Sequence, residues 1–148
     1  MDVYGISTKT ISTEVHIKYA LKLALEPFEN LCHGEFVVID KNNKVKGCIN
    51  WPRLVKAYCE GKYYIRDVAW YFQKIQIANK SSLTEEIIQE AAEKSRSLFI
   101  VSDNSNSKKL YSRNLVAEIT LKNIIEFFLG KKYSEKNCPY PFKFEVKK

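Results

Sequence analysis

Apolar positions recur at helical spacing in four stretches of this chain, with short continuous apolar runs between them, and the same order of patterns occurs twice. Val15, Ile17, Ala20, Leu21, Ala24, Leu25 and Phe28 share one helical face and predict an amphipathic helix from about residue 14 to 28. A buried strand follows at Glu35-Phe36-Val37-Val38-Ile39-Asp40, and its return at Lys44-Val45-Lys46-Gly47-Cys48-Ile49. Between them Asp40 to Lys44 reads as a hairpin turn, because Asn tolerates the left-handed backbone such turns require. Asn50 then stands where a helix N-cap belongs, with Pro52 in the first turn, Leu54, Val55, Ala57 and Tyr58 behind it, and Gly61 as the stop.

The second half repeats the order. Ile75-Gln76-Ile77 alternates like a short strand, and Ser82-Leu83-Thr84-Glu85 has capping-box spacing opening a helix that carries Leu83, Ile87, Ile88, Ala91 and Ala92 on one face. Leu98-Phe99-Ile100-Val101 is a buried strand, a longer polar connection runs from Asn104 to Arg113, and Leu115-Val116-Ala117-Glu118-Ile119 returns. Thr120 caps a helix with Leu121, Ile124, Ile125, Phe127 and Phe128, ended by Gly130. Each half is therefore strand, helix, strand, strand, helix, an internal duplication with a period of about 65 residues. The expected architecture is α+β: two β-α-β-β-α repeats, 1–66 and 67–130, packed sheet to sheet about a pseudo-two-fold axis as one compact module, followed by a basic tail at 131–148. A repeat of that size buries too small a fraction of its surface to be comfortable alone. The connector aromatics Tyr63, Tyr64, Trp70, Tyr71 and Phe72 read first as packing between the halves and second as a stacking platform for bases.

Composition narrows the classes. The chain has 148 residues, 45% apolar and 28% charged, which is ordinary globular usage. The apolar runs fall far short of the roughly 18 residues a membrane span needs. Met1-Asp2-Val3-Tyr4 lacks a basic region leading into an apolar one, so a cytoplasmic protein without a secretory leader is expected. The net charge is +7, and +4 of it sits in residues 131–148, which hold six Lys against two Glu. Such a tail either attracts phosphate polyanions, nucleic acid included, or is a solvated, partly frayed terminus. Basic residues are overwhelmingly Lys, whereas bidentate readers of bases are usually Arg.

Cys32, Cys48, Cys59 and Cys138 form no C-x-x-C pair, and only His16 and His33 are available to complete a ligand set. No metal site is expected, and buried free thiols are the default, with the disulfide state left open. The chain has no P-loop, H-E-x-x-H or nucleophile elbow. Glu85, Glu86 and Glu90 read as capping and solvated face, so no catalytic residue is assigned and no enzyme is expected.

The duplicated pattern, with these strand endings, resembles a tandem pair of cystathionine-β-synthase (CBS) domains, the Bateman module, over about residues 6–129. Phe36 to Asp40 with Lys44 to Val55 carry the closer match, and Leu98 to Asp103 with Ala117 to Ile124 a looser one. The resemblance implies a regulatory module that binds an adenine nucleotide (AMP, ADP or ATP) or a related adenosyl ligand in clefts between the repeats. It also implies a homodimer formed through helices and a separate regulated protein, with no cofactor beyond the sensed ligand. The family's ligand motif is a small residue, one or two apolar residues, Ser or Thr, two variable residues, then Asp.

In the second half Thr120 takes the hydroxyl position and Asn123 the Asp position, where its carbonyl can accept from a ribose hydroxyl. A hydroxyl at an N-cap and the free N–H groups of a first turn suit a phosphate. By the same resemblance Ile75 offers backbone groups to adenine and Ser97 lines the base pocket. In the first half Asn50 and Arg53 take the two motif positions. A guanidinium has no acceptor for a ribose diol, so Arg53 reads as a phosphate partner or as a solvated surface residue. Two further readings remain, a nucleic-acid-associated module using the Lys-rich tail, and an assembly domain with vestigial clefts.

Overall fold

A computed structural model of the chain describes residues 1–25, 35–106 and 108–148. The elements are β1 (Asp2–Gly5), β2 (Lys9–Ser12), α1 (Ile17–Ala24), β3 (Glu35–Ile39), β4 (Val45–Asn50), α2 (Trp51–Cys59), β5 (Ile77–Asn79), α3 (Glu85–Glu93), β6 (Leu98–Val101), β7 (Leu115–Ile119), α4 (Leu121–Phe128) and β8 (Phe142–Glu145). The fold is α+β, and both repeats are present. β2-β3-β4 and β5-β6-β7 each form a three-stranded sheet in which the first pairing is parallel and the second antiparallel. The end of the first expected helix, including Phe28, lies outside the described residues, as do Cys32 and His33.

The chain divides into two compact units. One, the first unit, is Lys9–Ile75 with Lys108–Arg113; the other, the second unit, is Met1–Thr8, Gln76–Ser107 and Asn114–Lys148. These limits differ from the division at 66/67 and 130/131 read from the sequence. The reason is backbone pairing. Gln73 forms a two-way bridge with Cys48 of β4, its N–H donating at 2.8 Å and its carbonyl accepting at 2.9 Å, so residues 67–75 stay with the first unit. Gly47 permits that approach: its φ is +144°, and a Cβ there would meet the Gln73 carbonyl oxygen at 2.8 Å. In the second unit, Ile6 bridges Glu118 of β7 in the same two-way fashion, at 2.8 Å each way.

In the first unit the buried stripes of α1 (Ile17, Ala20, Ala24) and α2 (Leu54, Ala57) close over Ile11, Phe36, Val38 and Ile49. His16 caps α1, its Nδ1 accepting from the Lys18 N–H at 3.0 Å, a role its sequence context did not suggest. The hairpin turn forms as expected, with the Asp40 carboxylate accepting from the N–H groups of Asn42 and Lys44, and Asn43 at φ 65°. The polar 108–113 segment docks on this turn, where Val45 donates to the Leu110 carbonyl and Ser112 to that of Asn43. The aromatic connector is anchored by Ile65 and Val68, both fully buried, with Tyr71 and Phe72 packed alongside. Tyr63 and Trp70 are 65% and 63% exposed, Tyr63 edge-on to His16 and Trp70 beside Tyr71.

The second unit packs α3 and α4 on β5-β6-β7 around Leu83, Ile88, Leu98, Ile100, Ile119 and Ile124. The helix start differs from the expected capping box. Thr84, not Ser82, is the N-cap of α3 and accepts from Ile87, because fully buried Leu83 takes its place in the core before the helix begins. The strand expected at 75–77 begins instead at Ile77.

The basic tail is folded. β8 pairs antiparallel with β1 in the register Val3↔Phe144 and Tyr4↔Lys143, and Phe144 and Val146 are buried in the core. A solvated, frayed terminus is therefore not what residues 131–148 form. The alternation Phe142-Lys143-Phe144-Glu145-Val146 is the half-buried strand signal responsible.

Candidate functional site

β7 ends at Ile119 and hands the chain to α4 through Thr120, whose extended backbone (φ −76°, ψ 167°) makes it the N-cap. Thr120 and Asn123 close a capping box. The Thr120 hydroxyl accepts from the Asn123 N–H at 3.2 Å and donates to Asn123 Oδ1 at 2.8 Å, while the Thr120 N–H donates to the same Oδ1 at 3.0 Å. Both residues are buried, Thr120 at 3% and Asn123 at 1% exposure. Leu98 lies opposite Ile119 in the β6-β7 ladder, so one further step brings Ser97, 2% exposed, to the Thr120 end.

This network assigns the Asn123 amide. Reversing it would set an NH2 against the Thr120 N–H, donor against donor. Oδ1 is thereby committed, and Nδ2 is left buried with no hydrogen-bond partner. A buried orphan donor costs on the order of 1–3 kcal/mol. The chemistry differs from the sequence expectation at this point. The Asn123 carbonyl, expected to accept from a ribose hydroxyl, is taken by Thr120, and the group on offer is a donor. The Thr120 hydroxyl proton is likewise spent on Asn123.

The first unit repeats the arrangement with different residues. Asn50 caps α2, its Oδ1 accepting from the Arg53 N–H at 3.0 Å, and Arg53 Nη1 donates to the Tyr71 carbonyl at 3.0 Å. Arg53 is half-buried and so is not simply a solvated surface residue. Opposite Asn50 in the ladder stands Glu35, 7% exposed, in the place Ser97 holds in the other repeat. Ile75, 7% exposed, closes the long segment of the first unit. Ser97, Thr120 and Asn123 are thus brought together in one unit, and Asn50 and Arg53 in the other.

Sequence reasoning missed three buried carboxylates, Glu35, Glu118 and Glu126. For Glu118 and Glu126 the signal available was an acid inside an otherwise apolar run. Burial alone raises the Glu126 carboxyl, but hydrogen bonds from the Tyr133 and Tyr140 hydroxyls and from Lys131 outweigh it and hold the group below the usual carboxylate range. Of the described cysteines, Cys48 is buried, Cys138 partly buried and Cys59 exposed. Among the described residues no group of three or more His, Cys, Asp or Glu side chains is placed to hold a metal ion, and no helix is long and apolar enough to cross a membrane.

By sequence, neither a family profile nor a curated protein matches the chain. Solved structures do. The CBS domain pair of protein MJ0100, in complex with 5′-methylthioadenosine and S-adenosyl-L-methionine, superposes with a TM-score of 0.64 at 19% identity, covering 88% of this chain and 94% of that one. CBSX2 in complex with AMP gives 0.61 at 16% identity, over 86% and 93%. Staphylococcus aureus OpuCA gives 0.60 at 19% identity, over 85% and 96%. At such identities the likeness speaks for the fold, and with the repeated strand–helix–strand–strand–helix order it leads to one statement: this chain has the fold of a tandem pair of CBS domains.

Proposed function

We propose that the chain is a regulatory module that senses an adenosyl ligand at the start of α4, where Ser97, Thr120 and Asn123 meet. The observation carrying this reading is the orphaned Asn123 Nδ2, a buried donor at a helix N-terminus. Native proteins seldom leave such a group unpaired unless something else comes to pair with it. A ribose oxygen, a ring nitrogen of the base or a phosphate oxygen would each supply the missing acceptor. Two of the structurally similar CBS pairs hold adenosyl compounds, which supports that ligand class here. A ligand with different affinity for two states of the module would shift their populations and so report its presence to a separate regulated protein.

Asn50 and Arg53 would serve a second position, in which Arg53, already directed by the Tyr71 carbonyl, supplies charge to a phosphate. Exposed Val55 and Tyr58 on α2 and Ile125 and Phe128 on α4 support the homodimer through helices, which sedimentation equilibrium tests directly.

The test of the ligand site is thermal stabilisation by AMP, 5′-methylthioadenosine and S-adenosyl-L-methionine. A compound at a hundred times its Kd adds about 2.7 kcal/mol to stability. The reading expects at least one compound to raise Tm in the native protein and expects Asn123→Ala to lose that increment, whatever the variant's own starting Tm. No increment from any adenosyl compound, or an increment unaffected by Asn123→Ala, would refute it.

A further inference from the structure

The folded tail creates a second feature, at the opposite end of α4 from Asn123. A cavity of about 350 Å³ opens there, walled by the rings of Tyr4, Phe127 and Tyr133 and rimmed by Lys131, Lys132 and Lys143. Asp2 is the one carboxylate residue lining it. Each lysine arrives by a definite structural route. Gly130, at φ 71°, turns the chain out of α4 and presents Lys131 and Lys132, while the β1-β8 register sets Lys143 directly across from Tyr4.

The walls are held in place. Buried Glu126 accepts from Tyr140 at 2.7 Å and also from the Tyr133 hydroxyl, and the Tyr133 N–H donates to the Tyr4 hydroxyl at 3.2 Å. The three tyrosine rings pack at centroid distances of 5.2, 5.5 and 6.0 Å. Lys131 lies over the Tyr133 ring and pairs with Glu126 at 3.3 Å. Lys132 and Lys143 are in no ion pair among the described residues. The last carbonyls of α4 would ordinarily repel an anion. Those of Ile125, Glu126 and Phe127 already accept from the N–H groups of Leu129, Lys131 and Gly130, which blunts that field.

We infer that this cavity binds a small phosphorylated molecule, with its phosphate between Lys132 and Lys143 and its apolar part against Tyr4 and Tyr133. The volume falls in the range of small-molecule sites. Lysine ammonium groups act as point charges suited to phosphate, whereas planar carboxylate recognition favours the arginine fork. The site is independent of the adenosyl reading, since it shares no residue with Thr120, Asn123 or Ser97.

The experiment is calorimetric titration of the full chain with inorganic pyrophosphate and with phenyl phosphate, at low ionic strength so that screening stays weak. The inference expects both to bind and expects the exposed double variant Lys132→Ala/Lys143→Ala to weaken binding at least tenfold. It expects Lys41→Ala/Lys46→Ala, which removes the same charge from the other unit, to leave the affinity unchanged. Wild-type affinity in the Lys132/Lys143 variant, an equal loss in the Lys41/Lys46 control, or no binding of either probe to the native chain would overturn it.

Discussion

Replacing Glu126 by Gln tests whether the tail is held to the second unit by a buried carboxylate. The residue is 8% exposed, and its carboxylate accepts from two tyrosine hydroxyls, both supplied by residues beyond α4. Its third partner, Lys131, has a side chain 55% exposed and adds little, since solvent screens such a pair. Hydrogen bonds to a charged acceptor are each worth about 1.5–3 kcal/mol. Gln keeps one acceptor oxygen but turns an NH2 toward the other hydroxyl, so one such bond is lost and the survivor loses its charge assistance. The net loss is about 1.5–3 kcal/mol, a fall in Tm of roughly 5 °C or more for a chain of this size.

Acid should erase the difference. Because the folded carboxyl is held below its ordinary range, its contribution is fully present above that range and disappears as pH falls through the folded-state value. The assay is paired thermal unfolding of native and Glu126→Gln protein from neutral pH downward, with amide exchange read at Phe144 and Val146. Equal Tm values at neutral pH with unchanged exchange at those amides would refute the latch. So would a gap that widens on acidification.

Three further outcomes follow from the geometry. Gly47→Ala places a methyl 2.8 Å from the Gln73 carbonyl on a backbone that L-residues rarely adopt, and should cost about 2–4 kcal/mol in a denaturant titration; a loss below about 1 kcal/mol would contradict the bridge. Asn50→Ala removes the acceptor for the Arg53 N–H and should cost about 1 kcal/mol, measured in the same way. Native alkylation should modify exposed Cys59 quickly and fully buried Cys48 only on unfolding, which peptide mass spectrometry resolves.

Much of each repeat was legible because its signals are local. The caps at Asn50 and Thr120, the Asp40 turn and the apolar runs of β3 and β6 are each fixed within a few residues, and they stand where their patterns put them. The misread features depend on distant partners. Leu83 ends in the core, which moved the α3 cap from Ser82 to Thr84. The tail drew attention by charge, yet its alternating Phe142, Phe144 and Val146 acquire meaning only once β1, at the other end of the chain, is available to pair. The first repeat's opening strand at Lys9–Ser12 carries only one buried residue, Ile11, too little for a periodicity to show. In the candidate site the residue types were readable at Thr120 and Asn123, but their division of labour was not. Which atom of an amide is spent on a cap and which is left over depends on side-chain geometry that no spacing encodes.

The Asn123 side-chain amide is the group a ligand must meet, and nitrogen-15 NMR observes it directly. Titration of the labelled chain with AMP, and then with 5′-methylthioadenosine and S-adenosyl-L-methionine, should move the Asn123 Nδ2 proton resonances downfield and slow their exchange with water for the compound that binds, as the orphan donor gains an acceptor. Saturating binding of an adenosyl compound that leaves those resonances where they began would contradict the assignment of the site.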